Sequence, residues 1–106
     1  MHLSVITCEA IAGKEIEFAQ FAEKVGLAVG DIPGVRSVEA FIADGGQVVA
    51  IVRVDSKEAY GTIFEDPDGP FHSLVKSLNL SETGRVVSTL CGNSIEQVSA
   101  ERATVR

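Results

Sequence analysis

The sequence predicts an α+β fold: four strands in one antiparallel sheet, with two helices on one of its faces. Three observations lead there. Apolar spacing switches between period 2 and period 3.6 in the order strand, helix, strand, strand, helix, strand. The two middle strands are joined by Asp44-Gly45-Gly46, whose glycines supply the positive φ of a tight hairpin turn. A chain of 106 residues that is 45% hydrophobic is long and apolar enough for one domain with one core.

The first strand is Leu3 to Cys8 (LSVITC), rich in residues that favour a pleated strand. Gly13-Lys14 closes a short connection to an amphipathic helix over Lys14 to Val29. Phe18, Phe21, Ala22, Val25, Ala28 and Val29 share one face, and Glu15 and Glu17 suit the positive end of the helix dipole. Gly30 is expected as the C-cap, and Pro33-Gly34 prevents continuation. The hairpin follows. Its first strand, Val35 to Ala43, puts Val38, Ala40 and Ile42 on one face and Ser37, Glu39 and Phe41 on the other. Its second, Gln47 to Val54, is apolar on both faces over most of its length. Asp55-Ser56-Lys57-Glu58 reads as a capping box with Asp55 as N-cap and Glu58 at the third position. The helix it opens gathers Ala59, Tyr60, Ile63 and Phe64. Asp66 to Pro70 breaks it, and Pro70 starts another helical segment striped by Phe71, Leu74, Val75 and Leu78. Arg85 to Cys91 (RVVSTLC) is the fourth strand. Ser94-x-x-Gln97 is a weak helix-capping signal in a polar tail.

This order, β-α-β-β-α-β, is the ferredoxin-like arrangement. Residues 1–92 are expected to form the domain, and 93–106 a C-terminal tail free to pack on a partner subunit. Both helices of this topology cover one sheet face. A second apolar face is costly in water, and pairing two sheets across a two-fold axis covers it. A homodimer through the sheet face is therefore expected.

The net charge of −6, with basic residues scattered, argues against nucleic acid and anionic membranes as partners. No apolar run reaches the ~20 residues of a membrane span. The N-terminal MHLSVITCEA lacks a basic region and a long apolar stretch, so a cytoplasmic location is expected. Cys8 and Cys91 sit on antiparallel neighbours near opposite ends, on the order of 15 Å apart, which predicts two free, buried thiols. No metal-ligand spacing, phosphate loop or nucleophile elbow is present, so neither a metal nor another cofactor is expected.

Gly13-Lys14-Glu15, Pro33-Gly34-Val35, Ser56-Lys57-Glu58-Ala59-Tyr60 and Asp66-Pro67, at their spacing, resemble the antibiotic-biosynthesis-monooxygenase-like family of the dimeric α+β barrel superfamily. The resemblance covers about residues 3–91. It implies a pocket in each subunit between sheet and helices, and chemistry drawn from cofactor-free oxidation of phenols and quinols, haem degradation or isomerisation. Many members carry Glu-x-Trp late in the third strand and a His in the next helix. Val52, Val54 and Ile63 stand there instead. With Val54 at the Trp position and no Asn in the first strand, haem degradation is not expected.

Four residues are candidates for chemistry. His72, the only mid-chain imidazole, could act as a general base near neutral pH, or simply edge a helix beside Phe71 and Val75. Tyr60, the only tyrosine, could hold a substrate carbonyl or phenol, or pack with its hydroxyl on a backbone partner. Arg53 and Glu39 are charges on apolar strands; they pair with each other at an interface, or Arg53 binds an anionic substrate group. His2, beside the terminus, is read as incidental. Three functions follow: a cofactor-independent monooxygenase-like protein acting on a small aromatic, quinol-type or enolisable metabolite; a non-catalytic dimeric binding or accessory module; and, third, a structural dimer whose tail mediates partner binding.

Overall fold

A computed structural model describes residues 1–78 and 82–95. Strand β1 is His2–Ala10, helix α1 Glu15–Gly30, β2 Val35–Ile42, β3 Val48–Val54, α2 Lys57–Tyr60, α3 Pro70–Leu78 and β4 Gly84–Asn93; a π-helical turn, Gly61–Glu65, follows α2 directly. The sheet is antiparallel throughout, in the order β2-β3-β1-β4. This is the ferredoxin-like α+β fold that the order of elements predicts. The capping signal at Ser94-x-x-Gln97 and most of the tail lie outside the described residues.

The hairpin forms in the register set by its turn. Gly46 takes φ 90°, and Ala43 and Gln47 close the loop through a 2.8 Å backbone bond. Ile42 pairs with Val48, Ala40 with Ala50 and Ser37 with Arg53. Arg36 is the extra residue of a register shift in β2. Its guanidinium reaches Asp55.

Two expected caps move by a residue. Gly30 is the last residue of α1 rather than its cap. Asp31, in the right-handed region, ends the helix, its N–H bonding to Ala28 O at 3.2 Å. The second helix is capped by Ser56, not Asp55: Ser56 Oγ accepts from the Ala59 N–H at 3.1 Å. Asp55 is engaged by Arg36 instead, and Ser56 in extended backbone is the residue that can turn its hydroxyl onto the open N–H. After one α-helical turn the chain widens. The Asp66 N–H bonds to Gly61 O at 3.0 Å, a bond spanning five residues.

The core lies on one face of the sheet. Val29 of α1, Val52 and Val54 of β3, and Tyr60, Ile63 and Phe64 of the second helical segment form its buried cluster. Because Val52 and Val54 point to the helices, Val49, Ile51 and Arg53 point to the other face. They are joined there by their neighbours Leu3, Val5, Ser37, Glu39 and Phe41. None of the described residues covers this second face: Phe41 is 50% and Leu90 72% exposed. Helix α1 lies mainly over β2 and packs on α3, so β4 is left bare from Arg85 onward. The pairing of β1 with β4 shifts by one residue between Thr7 and Cys8.

Candidate functional site

Two recesses on the helical side of the sheet bear on function. The first is a cavity of about 90 Å³ between α1, α3 and the sheet. The helix supplies Phe18, Ala22, Val25, Gly26 and Val29, the strands supply Ile6, Cys8, Val38, Ala40, Ala50 and Val52, and Phe64 and Phe71 close one end. The space exists because small residues stand opposite one another: Ala22 and Gly26 on the helix face Ala40 and Ala50 on the strands. Gly84 has the same origin. A methyl group there would fall 2.3 Å from the Phe18 ring, so glycine lets Phe18 lie flat against the strand. The only heteroatom in the lining side chains is Cys8 Sγ, and burial pushes that thiol up, so it stays protonated.

The second recess is a polar cleft of about 270 Å³ at the β1–β4 end, lined by His2, Lys57, Tyr60, Glu65, Cys91, Gly92 and Asn93. His2 and Asn93 are cross-strand partners, as are Ser4 and Cys91. His2 Nδ1 lies 3.0 Å from Asn93 Oδ1. An amide oxygen only accepts, so Nδ1 donates this bond and Nε2 is the ring nitrogen left over. Ser4, fully buried, shares a 3.0 Å hydrogen bond with the Tyr60 hydroxyl and accepts from Cys91 Sγ at 3.5 Å. Tyr60 sits between two rings, 5.1 Å from His2 and 4.9 Å from Phe64. Burial, reinforced by its contact with Cys91, pushes the Tyr60 hydroxyl up to about 12. At neutral pH it is a hydrogen-bond donor or acceptor and never a base.

Of the residues singled out from sequence, Tyr60 is buried and lines the cleft, and its hydroxyl finds the Ser4 side chain rather than a backbone group. His72 is half-buried on α3, its ring edge-on to Phe71 at 5.7 Å, and lines neither recess. Arg53 and Glu39 come together: Nη1 donates to Glu39 Oε1 at 2.8 Å and to Ser37 Oγ at 3.4 Å. That pair is on the uncovered face, with the thickness of the sheet between it and Tyr60. Val52, Val54 and Ile63 are all buried core.

Two readings need correction. His2 is not incidental: it is 5% exposed, hydrogen-bonded and packed on Tyr60. The signal for it was its place on a strand, two residues from a serine on the same face. The cysteines are both free, as expected, but not both buried. Cys8 is half-buried at the cavity and Cys91 is exposed at the cleft, because β4 is an uncovered edge strand. Among the described residues no group of three metal-ligating side chains converges, and no helix is long and apolar enough to cross a membrane.

No protein-family model and no curated protein sequence matches the chain. Solved structures do. A provisionally assigned antibiotic biosynthesis monooxygenase from Deinococcus radiodurans superposes with a TM-score of 0.70 at 14% identity, covering 90% of this chain and 93% of that one. The fold is that of the antibiotic biosynthesis monooxygenases. SnoaB, a cofactor-independent oxygenase from Streptomyces nogalater, gives a TM-score of 0.65 at 13% identity over 88% of this chain and 92% of its own. The monooxygenase ActVA-Orf6 of Streptomyces coelicolor, solved with nanaomycin D, gives 0.57 at 18% identity over 89% and 88%. Within the monooxygenase fold, the cavity under α1 occupies the space between sheet and helices.

Proposed function

We propose that this chain is a cofactor-independent monooxygenase of the antibiotic-biosynthesis type, acting on a small, uncharged aromatic of the quinol class bound in the cavity under α1. The observation that carries the reading is the cavity itself, apolar on every side in a fold shared with a cofactor-independent oxygenase. Quinols reduce oxygen themselves once deprotonated, so the protein's work is to hold the ring, exclude water and manage a proton. A cavity of about 90 Å³ is smaller than the ~150 Å³ that holds benzene in an engineered core, so a bicyclic ligand must displace side chains. The movable wall is Phe64 and Phe71. Behind Phe64 stands Tyr60, and beside Phe71 stands His72. Rotation of either ring brings one of these groups to the ligand, Tyr60 as hydrogen-bond donor and His72 as base. Oxygen uptake with dihydroxynaphthalenes tests this. Turnover that falls at least about tenfold in Tyr60→Phe or His72→Ala supports it, and rates equal to the uncatalysed reaction in the unsubstituted protein overturn it.

A second reading, a binding or accessory module, is favoured by the lining, which brings no acid or base to the ligand as the cavity stands. Tight binding of the same quinols without oxygen uptake would select it. Either protein would work as a homodimer, with the apolar outer face of one sheet against that of another. Ile51→Lys, which puts a charge in the middle of that face, should leave the fold intact and halve the mass seen by sedimentation.

A further inference from the structure

The polar cleft is separate from the cavity in which the quinol is placed, and its residues are arranged for a different task. His2 is 95% buried by its 5% exposure, yet only one of its ring nitrogens is occupied. Nε2 has no partner among the described residues and is not sealed from solvent, so it faces the cleft. A buried imidazole whose proton is fixed on Nδ1 by an amide oxygen is a ring held in one tautomer, with its basic nitrogen aimed outward. Cys91 is exposed, on the same sheet face and one cross-strand pair along from His2. Diagonal neighbours of this kind lie within about 7–8 Å between backbones, and closer between side chains. Its thiol donates to Ser4 Oγ at 3.5 Å, a long bond, and also lies against the Tyr60 hydroxyl. Lys57 brings a cation to the same recess.

We propose that Cys91 is a nucleophilic thiol served by the His2–Asn93 pair, and that the cleft takes small α,β-unsaturated carbonyl compounds, quinones among them, by conjugate addition. His2 Nε2 removes the thiol proton. The Cys91 sulfur forms a bond to the β-carbon, and the π pair of the C=C moves to the carbonyl oxygen, where Lys57 faces the new charge. The proton returns from His2 to the enolate, leaving a thioether and no change in the count of electrons. Cysteine, histidine and asparagine in these roles are a recurring way to activate a thiol. Because a quinone is the oxidised form of a quinol, the site would capture a reactive product, but its chemistry does not depend on oxygenation in the cavity.

The test is limiting N-ethylmaleimide on the full chain, followed by peptide mapping, with Cys8 as the internal reference and glutathione as the free thiol. Cys91 is expected to react about tenfold or more faster than glutathione at pH 7. His2→Gln should remove that advantage. The groups facing His2 are Tyr60 and Lys57 from α2, Glu65 from the π-helical turn and Cys91 from β4, and all remain in that variant. A Cys91 rate equal to that of glutathione, or unchanged by His2→Gln, overturns the proposal. If His2→Gln unfolds, seen as a rise in Cys8 labelling, Asn93→Ala is read instead, and an unchanged Cys91 rate there has the same force. Oxygen uptake by Cys91→Ser separates this proposal from the oxygenase reading: uptake should persist while maleimide capture is lost.

Discussion

The cavity under α1 and the cleft at the β1–β4 end are neighbours with opposite endowments. One encloses apolar space and offers no side-chain proton donor or acceptor beyond a half-buried thiol. The other collects an imidazole, a phenol, a thiol, an ammonium and two amide or carboxylate groups, yet lies against an edge strand that is open to water. Phe64 belongs to both, lining the first and stacking on Tyr60 in the second. Burial explains the division. A strand covered by helices must be apolar or fully paired, whereas an edge strand can keep polar groups solvated.

Removing the divider should have the largest effect. Phe64→Ala takes a 7%-exposed ring out of the core. It should cost about 3–5 kcal/mol by denaturant unfolding, and if the fold survives, an aromatic dye bound in the cavity should become sensitive to Tyr60→Phe. Gly84→Ala acts on the cavity wall and on the β1 backbone at Glu9, not on the cleft side chains. Its methyl group meets the Phe18 ring and drives it inward, at about 1–3 kcal/mol. Dye binding should weaken while the Cys91 alkylation rate stays the same.

Tyr60 tests the cleft. The folded state holds its proton more tightly than an unfolded chain, so the stability linked to that proton is complete below about pH 10 and is lost as pH rises through about 12. Alkaline denaturation should therefore steepen in that interval, and Tyr60→Phe should lose the corresponding slope. The smallest effect belongs to neither recess. Arg53→Met removes an ion pair whose Glu39 side is 64% exposed, and it should change monomer stability by no more than about 1 kcal/mol. Quinol binding should not change, because the sheet separates the pair from both recesses.

Much of the fold was legible because periodicity reports burial directly. Val52 and Val54 on one parity and Val49 and Ile51 on the other describe a strand with two apolar faces, and Asp44-Gly45-Gly46 sets its register. What escaped was decided by competition between near-equivalent groups. Asp55 and Ser56 can both cap a helix, and the choice fell to Ser56 because Arg36, brought close by a shift in β2, draws Asp55 away. The widened turn at Gly61–Glu65 leaves no trace in apolar spacing, since Tyr60, Ile63 and Phe64 are buried either way. The site was less legible than the fold. Arg53 and Glu39 could be paired from strand parity alone. His2 could not be valued without knowing that β4 reaches Asn93 and lies beside it.

The one-residue shift between Thr7 and Cys8 carries a larger meaning than its size suggests. In a regular ladder Ser4 would face Leu90, and His2 would face Gly92. The extra residue turns the end of β4 over, so that Cys91 and Asn93 point toward the helices and Leu90 toward the bare face. Chain length, and not only residue identity, thus decides which chemistry stands inside. Deleting Val87 would leave every cleft residue in the sequence and present a leucine where the thiol now stands. A single codon of length decides whether that recess holds a thiol.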